Sequence, residues 1–170
     1  FQAAILHDCG VSNTAVHAKL AQFEWEREKE HCKLGANILQ STPVLSHLSD
    51  VILYHHTHWS DLKQLDIPED IKLKANCIYM VDRVDVSTLG FFSKESNILL
   101  GKEDIRNTIA EKKNDWFNPE LVDVFMEVSK SDTFWLSLER EHISGYVSTW
   151  VAHDLTHEID FKDLKSIVQI

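Results

Sequence analysis

Seven polar residues recur where helical spacing turns them toward apolar neighbours. His7 follows Ala3 by four positions and Asp8 follows Ala4 by four, while His31 stands three before Leu34 and seven before Ile38. His55 and His56 fall four after Val51 and Ile52, and Asp82 falls four after Ile78, with Asp85 three further on. Residues three or four apart share a helix face, so each of these side chains extends a stripe that would otherwise be buried. An unpartnered carboxylate in a core is costly. One such group could be satisfied by a hydrogen bond. Imidazoles and carboxylates converging from several segments are best explained by divalent metal. Neutral imidazole and carboxylate suit zinc, iron, manganese or nickel, and no cysteine is placed as a thiolate ligand.

A single inward histidine is more often a hydrogen-bonded core residue than a ligand. A bare His-Asp pair also says little, since the dipeptide recurs at His153-Asp154, and a His-His pair could be an exposed helix end. The specific feature is the order: His-Asp, a helical His, His-His, then an inward Asp. Of the ten histidines, His17, His47, His58, His142 and His157 read as surface or structural residues, with His58 closely following the His-His pair.

These side chains need a scaffold, and the composition points to a helical one. The chain has 170 residues, 44% hydrophobic and 26% charged, with only five glycines and three prolines. Such a length suits one domain, or one with an extension, and few breakers favour helices. The spacing predicts helices over about 1–8, 24–40, 43–58, 70–88, 102–113, 119–130, 132–152 and 160–170, with less regular chain at 11–21, 59–69 and 89–101. Ser41-Thr-Pro43 and Asn118-Pro-Glu120 read as helix starts. No alternating strand pattern or internal repeat is present, so the expected class is all-α. No apolar run approaches the ~20 residues of a membrane span. A net charge of -10 argues against a binder of nucleic-acid duplex backbones, although bound cations would reverse the local sign of an acidic site. Three dispersed cysteines (Cys9, Cys32, Cys77) read as reduced thiols of a cytoplasmic protein. The opening at Phe1, inside an apolar stretch with no signal-peptide pattern, reads as a piece of a longer protein.

The ordered combination resembles the HD superfamily of metal-dependent phosphohydrolases, and within it the HD-GYP branch. The segments that carry the resemblance are Ala3-Ala-Ile-Leu-His-Asp-Cys-Gly10, His31-Cys-Lys-Leu-Gly-Ala-Asn-Ile-Leu39, Val51-Ile-Leu-Tyr-His-His56, Ile78-Tyr-Met-Val-Asp-Arg-Val-Asp85 and Trp116-Phe-Asn-Pro-Glu-Leu-Val-Asp-Val-Phe125. It implies a helical bundle over residues 1–130, with a first helix lying upstream of Phe1. Residues 131–170 would form a connector, as in proteins that carry two HD domains in tandem. It also implies two or three divalent transition metal ions (Fe, Mn, Ni or Zn). His7, Asp8, His31, His55, His56 and Asp82 would bind them, with Asp8 bridging and central to catalysis, and Asp85 would touch a third ion. The implied reaction is phosphodiester hydrolysis of a cyclic dinucleotide such as cyclic di-GMP by a metal-bridging hydroxide. Three positions differ from the family pattern. Cys9-Gly10 runs into Val11-Ser12 without the family's lysine, the loop Thr57-His-Trp-Ser-Asp-Leu62 has no Gly-Tyr-Pro, and the upstream histidine would precede Phe1. They leave a second expectation: an HD domain that binds metal or nucleotide as a regulatory module beside a further HD-GYP domain.

Overall fold

The computed structural model describes residues 1–11, 29–92 and 97–151. Among these the fold is all-α, with no strand. The helices are α1 (Gln2–Leu6), α2 (Glu30–Gln40), α3 (Ser49–Tyr54), α4 (Trp59–Leu62), α5 (Glu69–Phe92), α6 (Lys102–Glu111), α7 (Pro119–Val128), α8 (Asp132–Leu136) and α9 (Arg140–Val151). Single 3-10 turns at Ser46–Leu48 and Ile98–Leu100 lead into α3 and α6.

The 24 residues of α5 make a rod of about 36 Å that serves two apolar cores. Near its start, Ala75 packs with Ala3, Leu39, Val51, Ile52, Trp59 and Leu62, joining α1 to α4. Further on, Tyr79, Met80 and Val84 pack with Ile105, Ile109, Phe117, Val122, Phe125 and Trp135, joining α6 to α8. Asp82 lies on this shared helix, between Ala75 of the first core and Val84 of the second. No helix among the described residues is long and apolar enough to cross a membrane.

Local chemistry explains where the elements depart from the periodicity. The expected helix over 43–58 is not continuous. The Ser41 and Thr42 hydroxyls both donate back to the Ile38 carbonyl, at 2.7 and 3.2 Å, and so finish α2 rather than cap the next helix. The chain then descends through i→i+3 bonds from Leu45 N–H to Thr42 and from Leu48 N–H to Leu45, and α3 begins only at Ser49. At its far end α3 stops at Tyr54, so His55 and His56 sit in a turn just beyond it instead of within a helix.

Likewise α1 stops at Leu6, and His7 to Gly10 form a turn. The expected loop at 59–69 contains α4, and α5 runs on to Phe92. The helix expected over 132–152 breaks into α8 and α9, where Ser137 Oγ donates to the Phe134 carbonyl and the Leu138 and Glu139 N–H groups bond three residues back. In α2 the buried face is His31, Cys32, Gly35, Ala36 and Leu39, while Leu34 is exposed, a rotation of the face expected from Leu34 and Ile38. The Asn118-Pro119 start behaves as expected: Asn118 Oδ1 accepts from the Glu120 and Leu121 N–H groups, with proline in the first turn. The readings placed on 12–28 and 152–170, His17, His153 and His157 among them, lie outside the described residues.

Candidate metal centre

Two glycines make the centre possible. The turn after α1 lies directly on α2, so a Cβ at Gly10 would collide with the His31 carbonyl and stand 2.5 Å from the Gly35 nitrogen. A Cβ on Gly35 would in turn meet Ile52 Cγ2 at 3.0 Å and Cys9 Sγ at 3.2 Å. This backbone-to-backbone approach brings the His7-Asp8 turn beside His31. The same α2 face receives α3, where Ser49 Oγ donates to the Ala36 carbonyl at 3.0 Å. His55 and His56 then emerge from the end of α3 toward the same point, and α5 closes it with Asp82.

Asp8, His31, His55 and His56 each offer one ligand atom, and these atoms lie within 4.8 Å of one another. His7 and Asp82 flank the group. His7 Nε2 is 3.4 Å from Asp8 Oδ2 and 3.7 Å from Asp82 Oδ1, His31 Nε2 is 3.8 Å from Asp8 Oδ1, and His56 Nε2 is 3.9 Å from Asp82 Oδ2. The imidazoles meet edge to face, His31 and His55 at 5.3 Å, His31 and His56 at 5.0 Å, and His7 and His55 at 5.5 Å between centroids. The structure thus brings together six of the seven residues singled out in the sequence. The seventh, Asp85, is exposed and stands outside the four-residue group.

Hydrogen bonds orient two of the rings. His55 Nδ1–H donates to the Ile52 carbonyl at 2.6 Å and His7 Nδ1–H to the Ala4 carbonyl at 2.8 Å, and the Nε2 lone pair of His55 is left facing the cluster. A backbone carbonyl on the distal nitrogen is the usual way a ligand histidine is fixed in its tautomer. His55 Nε2 and Asp8 Oδ1 are buried with no hydrogen-bond partner. Buried polar atoms are rarely left so. An acceptor nitrogen and a carboxylate oxygen, orphaned together in one cluster, fit a divalent cation.

The electrostatics agree for His55 and His56, whereas His7 is charged in the metal-free chain and would have to release a proton to serve as a ligand. Burial, reinforced by His31 and His7, lowers the His55 pKa to about 3, against the opposing pull of the Ile52 carbonyl. Burial and the neighbouring His55 lower that of His56 to about 2. Both rings are therefore neutral at physiological pH, as ligands must be. For His7, burial works against the charge, but the bond to Asp82 and the charges of Asp8 and Asp82 prevail and raise its pKa to about 9. Although burial opposes it, Asp82 is held well below the usual carboxylate range by His7 and Arg83.

Sequence reading missed Arg83, whose Nε and Nη2 both reach Asp82 Oδ2, at 3.1 and 2.6 Å, from a buried position. An arginine this close to a line of candidate ligands has no spacing signature. His58 was read as surface or structural. Its ring is half-buried and stacks on Trp116 at 4.7 Å. Cys32 Sγ lies 3.5 Å from His31 Nε2, and burial pushes its pKa up to about 12, so it remains a thiol. His47 and His142 are exposed.

Residues 1–87 match the family model described as the HD domain. A curated relative, the 3'3'-cGAMP-specific phosphodiesterase 1 of Vibrio cholerae serotype O1 (strain ATCC 39315 / El Tor Inaba N16961), is 29% identical over 157 residues, which cover 85% of this chain and 34% of that protein. The chain thus spans about a third of the length of the relative it matches. No solved structure matches it.

Proposed function

This chain belongs to the HD-domain family, and from that premise we propose that it is a metal-dependent phosphohydrolase, a phosphodiesterase acting on cyclic dinucleotides. The observation that carries the proposal is the convergence of Asp8, His31, His55 and His56 on one point, with His55 Nε2 and Asp8 Oδ1 buried and unbonded. The relative's name supplies the substrate class: its cyclic dinucleotide and cyclic di-GMP share a phosphodiester ring carrying two bases. Residues 1–130 are read as the catalytic domain and 131–170 as a connector to a further HD domain.

Asp8, His31, His55 and His56 would hold one divalent ion, and Asp8 with His7 and Asp82 a second, Asp8 being shared. Asp85 would serve a third ion only if the substrate drew one to the outer edge of α5. Bound ions of this kind supply a Lewis acid that offsets charge on the phosphoryl oxygens and lowers the pKa of water toward neutrality. The remaining work falls to the protein. The Ile52 and Ala4 carbonyls hold the His55 and His7 rings in register. Arg83 fixes one oxygen of Asp82 and leaves the other toward His7. The side chains of Asp82 and His31 are 13% and 2% exposed, so little solvent competes on that side, and the half-open Asp8 marks the side from which a phosphodiester would enter.

The test couples metal content to turnover. The purified chain should contain transition metal by elemental analysis and convert a cyclic dinucleotide to its linear form on a nucleotide-resolving column. Asp8→Ala should lose both. A metal-replete chain that opens no cyclic dinucleotide overturns the activity. Such a result would favour the regulatory-module reading, which the missing lysine after Gly10 and the missing Gly-Tyr-Pro after His56 already support.

A further inference from the structure

Beyond the metal cluster, a set of aromatic rings leads from His56 toward solvent. His56 meets Tyr79 edge-on at 5.1 Å between centroids. Tyr79 lies nearly parallel to Trp116 (6.0 Å, 12°) and to His58 (5.9 Å, 16°), and His58 stacks on Trp116 (4.7 Å, 26°). Tyr79 belongs to the core, whereas His58 and Trp116 are both half-buried. The Lys112 ammonium sits over the Trp116 ring, 4.4 Å from its centroid. Two ring-to-ring steps separate Trp116 from His56, a span that a single nucleotide can bridge.

The Trp116 loop is held more firmly than a surface aromatic requires. The Trp116 carbonyl accepts from the Trp59 N–H at 3.0 Å and from Asn76 Nδ2 at 2.8 Å. Asn76, fully buried on α5, also accepts from the Asn118 N–H at 2.7 Å. The Ser60 N–H bonds the Asp115 carbonyl at 2.8 Å, and Asn114 takes the left-handed backbone (φ 69°) that turns the loop. The loop is therefore fixed to α4, which closely follows the His55-His56 turn, and to α5, which carries Asp82. A site whose recognition element is locked to its reactive element in this way is preorganised.

We propose that Trp116, flanked by His58 and Lys112, is the nucleobase-binding wall of the phosphodiester site. This rests on the nucleotide reading above and adds what that reading lacks, a part of the chain that tells a nucleotide from a simple phosphoester. A base lying on Trp116 takes the face that the ammonium now covers, because a flexible lysine yields that face readily. The displaced Lys112 then reaches a phosphate of the bound nucleotide. Stacking is tolerant of base identity, since every base has a π face. The wall selects for a base, and not for one base over another.

Binding is read without turnover, so the wall stays testable even if the phosphodiesterase reading fails. With the manganese-loaded 170-residue chain, guanosine 5'-monophosphate and ribose 5-phosphate are titrated by calorimetry. Both carry the phosphate, and only one carries a base. The mononucleotide should bind roughly 5- to 150-fold more tightly. Trp116→Leu should abolish that ratio, and Trp116→Phe should keep most of it. Should Trp116→Leu lose its fold by circular dichroism, His58→Leu is read instead and should reduce the ratio. Equal binding of the two probes, no detectable mononucleotide binding, or a ratio unmoved in a folded variant overturns the proposal. An active phosphodiesterase that binds the mononucleotide and ribose 5-phosphate equally would sink the wall alone.

Discussion

Acid should unfold the metal-free protein through His55 and His56. Both imidazoles titrate near 6.5 when unfolded, and burial holds them near 3 and 2 in the fold. Between those limits the unfolded chain binds two more protons than the folded one, so stability falls as pH falls. Each ring contributes about 1.4 kcal/mol per pH unit, the pair about 2.7. The slope requires only that both rings stay neutral in the fold. From pH 6.5 to 5 the loss reaches about 3 kcal/mol, because the unfolded rings are only half protonated at pH 6.5, and this is a large share of the ~5–15 kcal/mol available to a domain. In a chain of this size that corresponds to a melting temperature falling by roughly 5–10 °C per pH unit. His7 has the opposite sign. Its folded pKa, about 9, lies above the unfolded 6.5, so its contribution is complete below pH 6.5 and fades as pH rises through 9. Asp82 is depressed, and its contribution is lost only below the ordinary carboxylate range. Stability without metal should therefore peak near pH 6.5. The assay is thermal melting by circular dichroism in chelator from pH 4.5 to 9.5, on the parent and on His55→Gln, which removes one ring and should halve the acid slope. A melting temperature that is flat or rising from pH 6.5 to 5, or an unchanged slope in the variant, refutes the reasoning.

Two further perturbations probe the scaffold. Gly10→Ala sets a methyl against the His31 carbonyl and Gly35 nitrogen, backbone atoms that cannot move aside. It should cost about 1–3 kcal/mol or more and, by parting Asp8 from His31, lower the metal content; melting and elemental analysis check both. Asn76→Leu orphans the Asn118 N–H while the Trp116 carbonyl keeps its bond from Trp59. It should cost about 1–3 kcal/mol, read by urea unfolding, with a weakened tryptophan circular dichroism band near 290 nm as the Trp116 loop loosens.

The candidate ligands were legible in the sequence because a metal centre concentrates rare residue types at helical spacing against apolar stripes. The class of fold was legible for a related reason, the scarcity of breakers between amphipathic stretches. What spacing could not convey was the local geometry that makes the cluster converge. His55 and His56 were expected inside a helix. They lie in a turn beyond Tyr54, while Ser41 and Thr42 finish α2 instead of starting the next helix, and either outcome leaves the same hydropathy pattern. Gly10 carries no spacing signal, yet it marks where two backbones touch. Arg83 and the His58–Trp116 stack were invisible for a third reason. Each pairs an ordinary residue with a partner fixed by the fold, Asp82 by its place on α5 and Trp116 by a loop 58 positions beyond His58. A metal centre can be read from one chain because its ligands are unusual residues individually. A binding wall made of common residues becomes visible only once α5 has brought Tyr79 between the cluster and the loop.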